Sequence, residues 1–147
     1  RTVWLDSGVE SFPQATNGGY LYQQEIGFDD DGSAMTNVFV ESGDIDIGDG
    51  DRFTQISSII PDIKFIEDAN SGSVNVVTKV RNYPGDSLTT ESTSAVSSST
   101  QKINLRARGR QAVVRFESND DATDDGNLSI GWRLGETRMD VKTDGRR

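Results

Sequence analysis

Two residue types that carry much of enzymatic proton and metal chemistry are missing from this 147-residue chain, which has no histidine and no cysteine. Without cysteine there is no disulfide framework, no thiol nucleophile and no thiolate-bound zinc. Without histidine the commonest general base and the commonest metal ligand are gone. No apolar run approaches the roughly 18 residues that a membrane helix needs, so no membrane segment is expected. The glycine-rich phosphate loop and the GxSxG elbow are both absent, and no histidine could activate the many serines. No cofactor is expected, and the chain reads as a protein that is not an enzyme.

What is present favours strands. Val and Ile total 22 against six Leu and seven Ala, with twelve Thr, and side chains branched at Cβ fit pleated strands better than helices. The length suits one domain over residues 1–147 with a core of its own. The chain opens on Arg1 rather than Met, and the expectation is a portion of a longer polypeptide.

Charge is unevenly divided. The formal net charge is −9, yet residues 1–72 hold fourteen Asp/Glu against three Lys/Arg, and residues 73–147 hold ten against twelve. Such asymmetry points to complementary contact between halves or between subunits, or to acidic loops that keep the chain in solution. The negative total argues against a sequence-reading nucleic-acid binder, which collects phosphates on basic surface.

The clearest single segment is Lys102–Arg115, KINLRARGRQAVVR, with five basic residues in fourteen. Ile103, Leu105 and Ala107 alternate with Lys102, Asn104, Arg106 and Arg108, so one face of a strand is apolar and the other cationic. Lys102, Arg106, Arg108 and Arg110 are the candidate interface residues. They could pair with carboxylates of a neighbouring subunit, pair within the chain, stay solvated, or touch DNA phosphates.

Around it the pattern is one of short strands and polar turns. Strands are expected at Gly19–Phe28, at Met35–Ile47 with a bulge at Gly43, at Ser73–Val80, at Leu128–Leu134 and at Thr137–Val141. Turns are expected at Asp29–Gly32, Gly48–Asp51 and Tyr83–Asp86, and Asn119–Asn127 reads as an acidic loop. Ile56, Ile59, Ile60 and Ile63 have helical spacing in Phe53–Ile66, but Pro61 would break an interior helix. The reading there is a strand broken near Pro61, with a single helical turn as the alternative. Residues 87–101 hold ten Ser/Thr in fifteen and read as a polar loop. The fold class is all-β with antiparallel sheets, five to eight strands in a propeller-like or sandwich-like segment or a barrel.

Two kinds of chemistry could hide in the carboxylates. Asp44, Asp46, Asp49 and Asp51 place four hard-oxygen donors within eight residues, a set calcium would accept, although Gly48 takes the third acidic position and no Glu closes the loop. Asp121, Thr123, Asp125 and Gly126 begin such a pattern better, but Trp132 stands where the closing Glu belongs. Ordinary Asp-Gly turns explain both. Glu25, Asp46 and Asp49 could be nominated for glycoside hydrolysis, yet nothing in the sequence selects that pair chemistry. Trp4, Tyr20, Tyr22, Phe116 and Trp132 suit core or interface anchors better than a sugar-stacking platform.

Several segments together resemble a known family. GYLYQQEIGFDDDG (19–32), ESGDIDIGDGDRF (41–53), IIPDIKF (59–65), KINLRARGRQAVVRFES (102–118) and WRLGETRMDVKTDGRR (132–147) are similar to the C-terminal part of the tail nozzle, or tail tubular protein B-like, structural proteins of tailed bacteriophages. The resemblance implies a virion component in the phage tail. It implies a homo-oligomeric ring, commonly a hexamer, below the portal and adaptor, around a channel through which DNA passes without sequence-specific binding. The rival expectation is a calcium-dependent adhesion or carbohydrate-binding β module. A tail-associated glycan hydrolase is a third.

Overall fold

The alternation of Ile103, Leu105 and Ala107 with polar neighbours is the pattern on which the fold is built, and it recurs from strand to strand. The computed structural model describes residues 3–6, 8, 10–27, 29–30, 33–35, 37–47, 51–66, 73–119 and 131–145. Among these residues there are fourteen strands and no helix. They are β1 (Val3–Leu5), β2 (Gln14–Asn17), β3 (Tyr20–Gln23), β4 (Asp29–Asp30), β5 (Ser33–Ala34), β6 (Phe39–Glu41) and β7 (Thr54–Ile60). Then follow β8 (Ile63–Ile66), β9 (Val74–Arg81), β10 (Thr89–Val96), β11 (Ile103–Gly109), β12 (Gln111–Ser118), β13 (Gly131–Leu134) and β14 (Arg138–Thr143). The count exceeds the expected five to eight because several strands are only two to four residues long. The fold is all-β; among the described residues every pairing is antiparallel and no sheet closes into a barrel.

Two sheets share the core. One has the strand order β10-β9-β12-β6 and the other β11-β7-β14. Val74, Val76, Val80, Val96, Ala112, Val114 and Phe116 from the first meet Ile56, Ile59, Ile103 and Ala107 from the second. Burying each Val or Ile contributes about 1.5–3 kcal/mol against exposure, so this inner layer is the main source of stability.

The spacing of Ile56 and Ile59 now has a physical cause. Across β7–β14 the register shifts between Asp140 and Val141, because Ser57 has no residue opposite it. That extra residue lets Ile56 and Ile59, three apart, both point inward and both reach 0 % exposure. What looks like helical periodicity is strand periodicity interrupted by a bulge. The break expected near Pro61 is present, since β7 ends at Ile60 and β8 begins at Ile63. Opposite it, β13 and β14 are interrupted at Gly135–Thr137. Asp62 joins the two breaks: its carbonyl accepts from Gly135 N at 2.6 Å and its carboxylate accepts from Glu136 N at 3.0 Å.

The chain passes between the two core sheets at Gly109–Arg110. β11 and β12 do not pair with each other; β11 pairs with β7 and β12 with β9 and β6. Gly109 is needed at this corner because a Cβ there would lie 2.6 Å from Val80 Cβ. The bulge expected at Gly43 is also found. Glu41 lies opposite Arg115 but Ile45 opposite Ala112, so one extra residue is accommodated between them.

One expectation is corrected. Composition points to a loop over residues 87–101, but Thr89–Val96 is an eight-residue strand on the edge of the four-stranded sheet. Thr and Ser tolerate the pleat and satisfy their hydroxyls in solvent, so a polar tract is a competent edge strand once β9 offers it a ladder. The Tyr83–Asp86 turn is formed, with Asp86 N donating to Tyr83 O at 3.1 Å and Gly85 at φ 90°. The expected Asp29–Gly32 turn is entered by β4, and its residues 31–32 lie outside the described residues, as do residues 120–127 of the acidic loop and residues 128–130 of the strand expected after it.

Candidate interaction surface

The outer face of the three-stranded sheet is built by the residues that alternate with the core. On β11 these are Asn104, Arg106 and Arg108, all exposed. On β14 they are Arg138, Asp140 and Lys142, because Met139 and Val141 turn inward. Lys102 precedes β11 on the same side and is exposed. The face therefore gathers Lys102, Arg106, Arg108, Arg138 and Lys142 against Asp140 and Asp144.

The cations differ in what holds them. Arg108 is anchored: its Nε donates to Asp144 Oδ2 at 2.5 Å, and its guanidinium lies 4.0 Å from the Phe53 ring centroid. Arg110, at the corner, donates through Nη1 to the Asp51 carbonyl at 3.1 Å and sits 5.3 Å from Phe53 and 5.9 Å from Tyr83. Lys142 lies 3.6 Å from Asp140. Lys102, Arg106 and Arg138 make no ion pair among the described residues. Of the four expected interface residues, Arg108 and Arg110 are thus held by this chain's own residues, while Lys102 and Arg106 project from it.

Ser57 Oγ donates to Asp140 Oδ2 at 2.5 Å, and this bond holds the Asp140 carboxyl below its ordinary value; desolvation opposes it, and Lys142 and Lys102 add to the lowering. Asp140 is therefore ionised at neutral pH and is a poor proton donor. A serine bonded to a carboxylate with no imidazole between them lacks the general base that makes a hydroxyl nucleophilic.

The other outward face behaves differently. On the four-stranded sheet Lys79 Nζ lies 2.6 Å from Glu41 Oε2, and Arg115 Nη1 lies 3.7 Å from the same oxygen. Arg115 Nε also donates to Glu117 Oε2 at 2.6 Å, and its guanidinium stacks 3.6 Å from the Phe39 centroid. Arg81 pairs with Asp44 and donates to Gln111 Oε1 at 2.8 Å. Beneath these stems Val77 and Val113 are 6 % and 3 % exposed although they face outward. Sequence reasoning missed this network, since its partners lie far apart along the chain and only the strand order brings them together.

The calcium and hydrolase candidates are only partly among the described residues. Asp44 is engaged by Arg81, Asp46 is exposed, Asp51 offers its carbonyl to Arg110, and Asp49 lies outside the described residues. Among the described residues no three carboxylates converge on a common point. Glu25 is exposed in a bend just past the end of β3, at φ 61°. A polar cleft of about 360 Å³ opens beside Asn37, Asn75, Arg115, Glu117 and Asn119. Its groups are turned on one another: Asn75 Nδ2 donates to Asn119 Oδ1 at 3.4 Å, and Asn119 Nδ2 to Ser73 Oγ at 3.1 Å.

The aromatics divide. Phe116 is in the core, and half-buried Trp132 donates through Nε1 to Ser118 Oγ at 2.9 Å. Trp4, Ala15 and Tyr22 lie opposite one another across β1, β2 and β3, with Tyr20 on the same face at 6.4 Å from Tyr22. Trp4 is 55 % and Tyr20 71 % exposed.

No protein-family model matches this chain, and no curated protein matches it.

Proposed function

We propose that this chain is a structural module that assembles with copies of itself, in the setting its sequence blocks resemble: a ring in the tail of a tailed bacteriophage. The observation that carries the reading is the cationic face of the β11-β7-β14 sheet. A chain of net charge −9 holds Lys102, Arg106 and Arg138 out on one face with no ion pair among the described residues. Its acidic excess sits in residues 1–72. Opposite charges segregated in this way favour contact between molecules and steer their encounter. The exposed Trp4 and Tyr20 add support, because aromatics are the residues that anchor protein interfaces.

The virion setting rests on the resemblance and on two features that agree with it. Histidine and cysteine are absent, so the likeness is to a part that works by shape and charge. A net negative wall repels passing phosphates rather than binding them, which suits a DNA channel. The two layers sharing one core fit the sandwich-like alternative better than a propeller blade. In this reading the partners are further copies, the portal and adaptor, and other tail proteins.

The test is sedimentation of the purified chain across a salt series, with Lys102→Glu/Arg106→Glu beside it. Association is expected to weaken with salt and to drop roughly tenfold or more in the reversed variant. An unchanged oligomer in the variant counts against the cationic face. Electron microscopy of a particle carrying the chain should place it in a ring on the tail axis; a peripheral position removes the virion reading.

A further inference from the structure

Among the described residues the four-stranded sheet has two open edges, and we infer that the β10 edge of one copy pairs with the β6 edge of the next, continuing the sheet between molecules. The inference rests on the self-association just proposed but names a different contact, made by backbone rather than by charge.

The strand order β10-β9-β12-β6 is antiparallel at each step. Four is an even number, so the two edge strands run in opposite directions. Copies related by a simple rotation therefore meet edge to edge in antiparallel register, the same geometry used inside the sheet. A head-to-tail contact of this kind closes into a ring when the rotation permits.

Register assigns the backbone groups that face outward. Ser42 N bonds Val114 O and Ser118 N bonds Val38 O, so Val38, Val40 and Ser42 face β12 and the alternate residues Phe39 and Glu41 point away. Carrying the same alternation through β12 and β9 makes Ser92, Ser94 and Val96 face β9, leaving Thr93 and Ala95 with outward N–H and C=O groups. Among the described residues no strand covers either edge.

The edges also fit as surfaces. From Ser92 to Val96 the β10 strand is Ser, Thr, Ser, Ala, Val, with no charge and no proline to block pairing. The one charge, Glu91, sits at the register shift between Thr90 and Ser92. The β6 edge is large and apolar: Val38, Phe39 and Val40 are 38 %, 46 % and 51 % exposed. Small residues against large ones allow close approach. Pairing Thr93 with Glu41 and Ala95 with Phe39 of the next copy satisfies both sets of groups. It sets Ser94 directly opposite Val40 of the next copy on the core side of the sheet.

The absence of cysteine makes the test clean. In a Val40→Cys/Ser94→Cys variant the two sites of one molecule lie three strand spacings apart, about 14 Å, well beyond the roughly 7 Å Cα separation a disulfide can bridge. Any disulfide is therefore between molecules. Mild oxidation is expected to produce a reducible ladder of covalent oligomers on a denaturing gel, whereas each single variant stops at dimers. Thr93→Pro removes an outward N–H while leaving the β9 ladder intact, and should weaken association roughly tenfold or more with its β circular dichroism kept. An assembled protein whose paired cysteines stay reduced overturns the sheet continuation and leaves charge-driven assembly standing. A monomer under all conditions overturns both.

Discussion

On the outer face of the four-stranded sheet, Lys79, Arg81 and Arg115 each reach a carboxylate of the same chain, and their stems lie over Val77 and Val113. On the outer face of the three-stranded sheet, Lys102, Arg106 and Arg138 form no ion pair among the described residues, although the charge of Lys102 is felt by Asp140. The residue types are alike, so the difference is one of neighbours. β6 and the bulge after it bring Glu41 and Asp44 across to β12 and β9. The β14 edge brings only Asp140, with Asp144 just beyond it, and Ser57, Lys142 and Arg108 already engage these. Folding alone accounts for the first face. The second holds three cations that form no ion pair among the described residues, and that is the reason for proposing a partner for it.

The contrast is broken most directly at the buried pair beneath the first network. Val113→Ala removes two methyl groups from a site only 3 % exposed and should cost about 2 kcal/mol in denaturant unfolding, mostly as a small cavity that the Lys and Arg stems cannot fill. A cost near zero would mean that the stems are solvated and that the two faces are equivalent.

A smaller effect, with a pH signature, belongs to Glu41. The hydrogen bond from Lys79 is the main reason its carboxyl lies below the ordinary 4.5; desolvation opposes this, and the charges of Lys79 and Arg115 reinforce it. A carboxylate whose pKa falls on folding adds stability that is complete above the unfolded value and is lost as pH drops through the folded value. Glu41→Gln should therefore cost about 1 kcal/mol at neutral pH, and the gap to the parent should narrow as the pH falls below 4.5. A gap independent of pH would assign the loss to packing instead of charge.

The two faces were unequally legible in the sequence. The cationic face could be read, because Ile103, Leu105 and Ala107 alternate with Arg106 and Arg108 within one strand and need no knowledge of what pairs with what. The break at Pro61, the bulge at Gly43 and the Tyr83–Asp86 turn were legible for the same local reason. Ile56 and Ile59 have helical spacing, and Pro61 alone favoured the broken strand that is found; the bulge behind that spacing is visible only from the partner strand. The Ser/Thr tract misled because composition reports solvent exposure, and an exposed edge strand and a loop share it. The paired face was not legible at all. Arg81–Asp44 spans 37 positions and Lys79–Glu41 spans 38, and such contacts follow from strand order, which no local window contains.

The smallest effect is the most discriminating. Arg106→Ala should leave the unfolding free energy within about 0.5 kcal/mol of the parent, because an exposed side chain with no ion pair among the described residues contributes little to folding. The same variant should flatten the salt dependence of association, since one cation fewer is available to a negatively charged neighbour. Reading both quantities on one sample separates the two roles. A loss above about 1 kcal/mol would show that Arg106 has a partner within its own chain, and the three-stranded face would then be as self-sufficient as the one that carries Arg115.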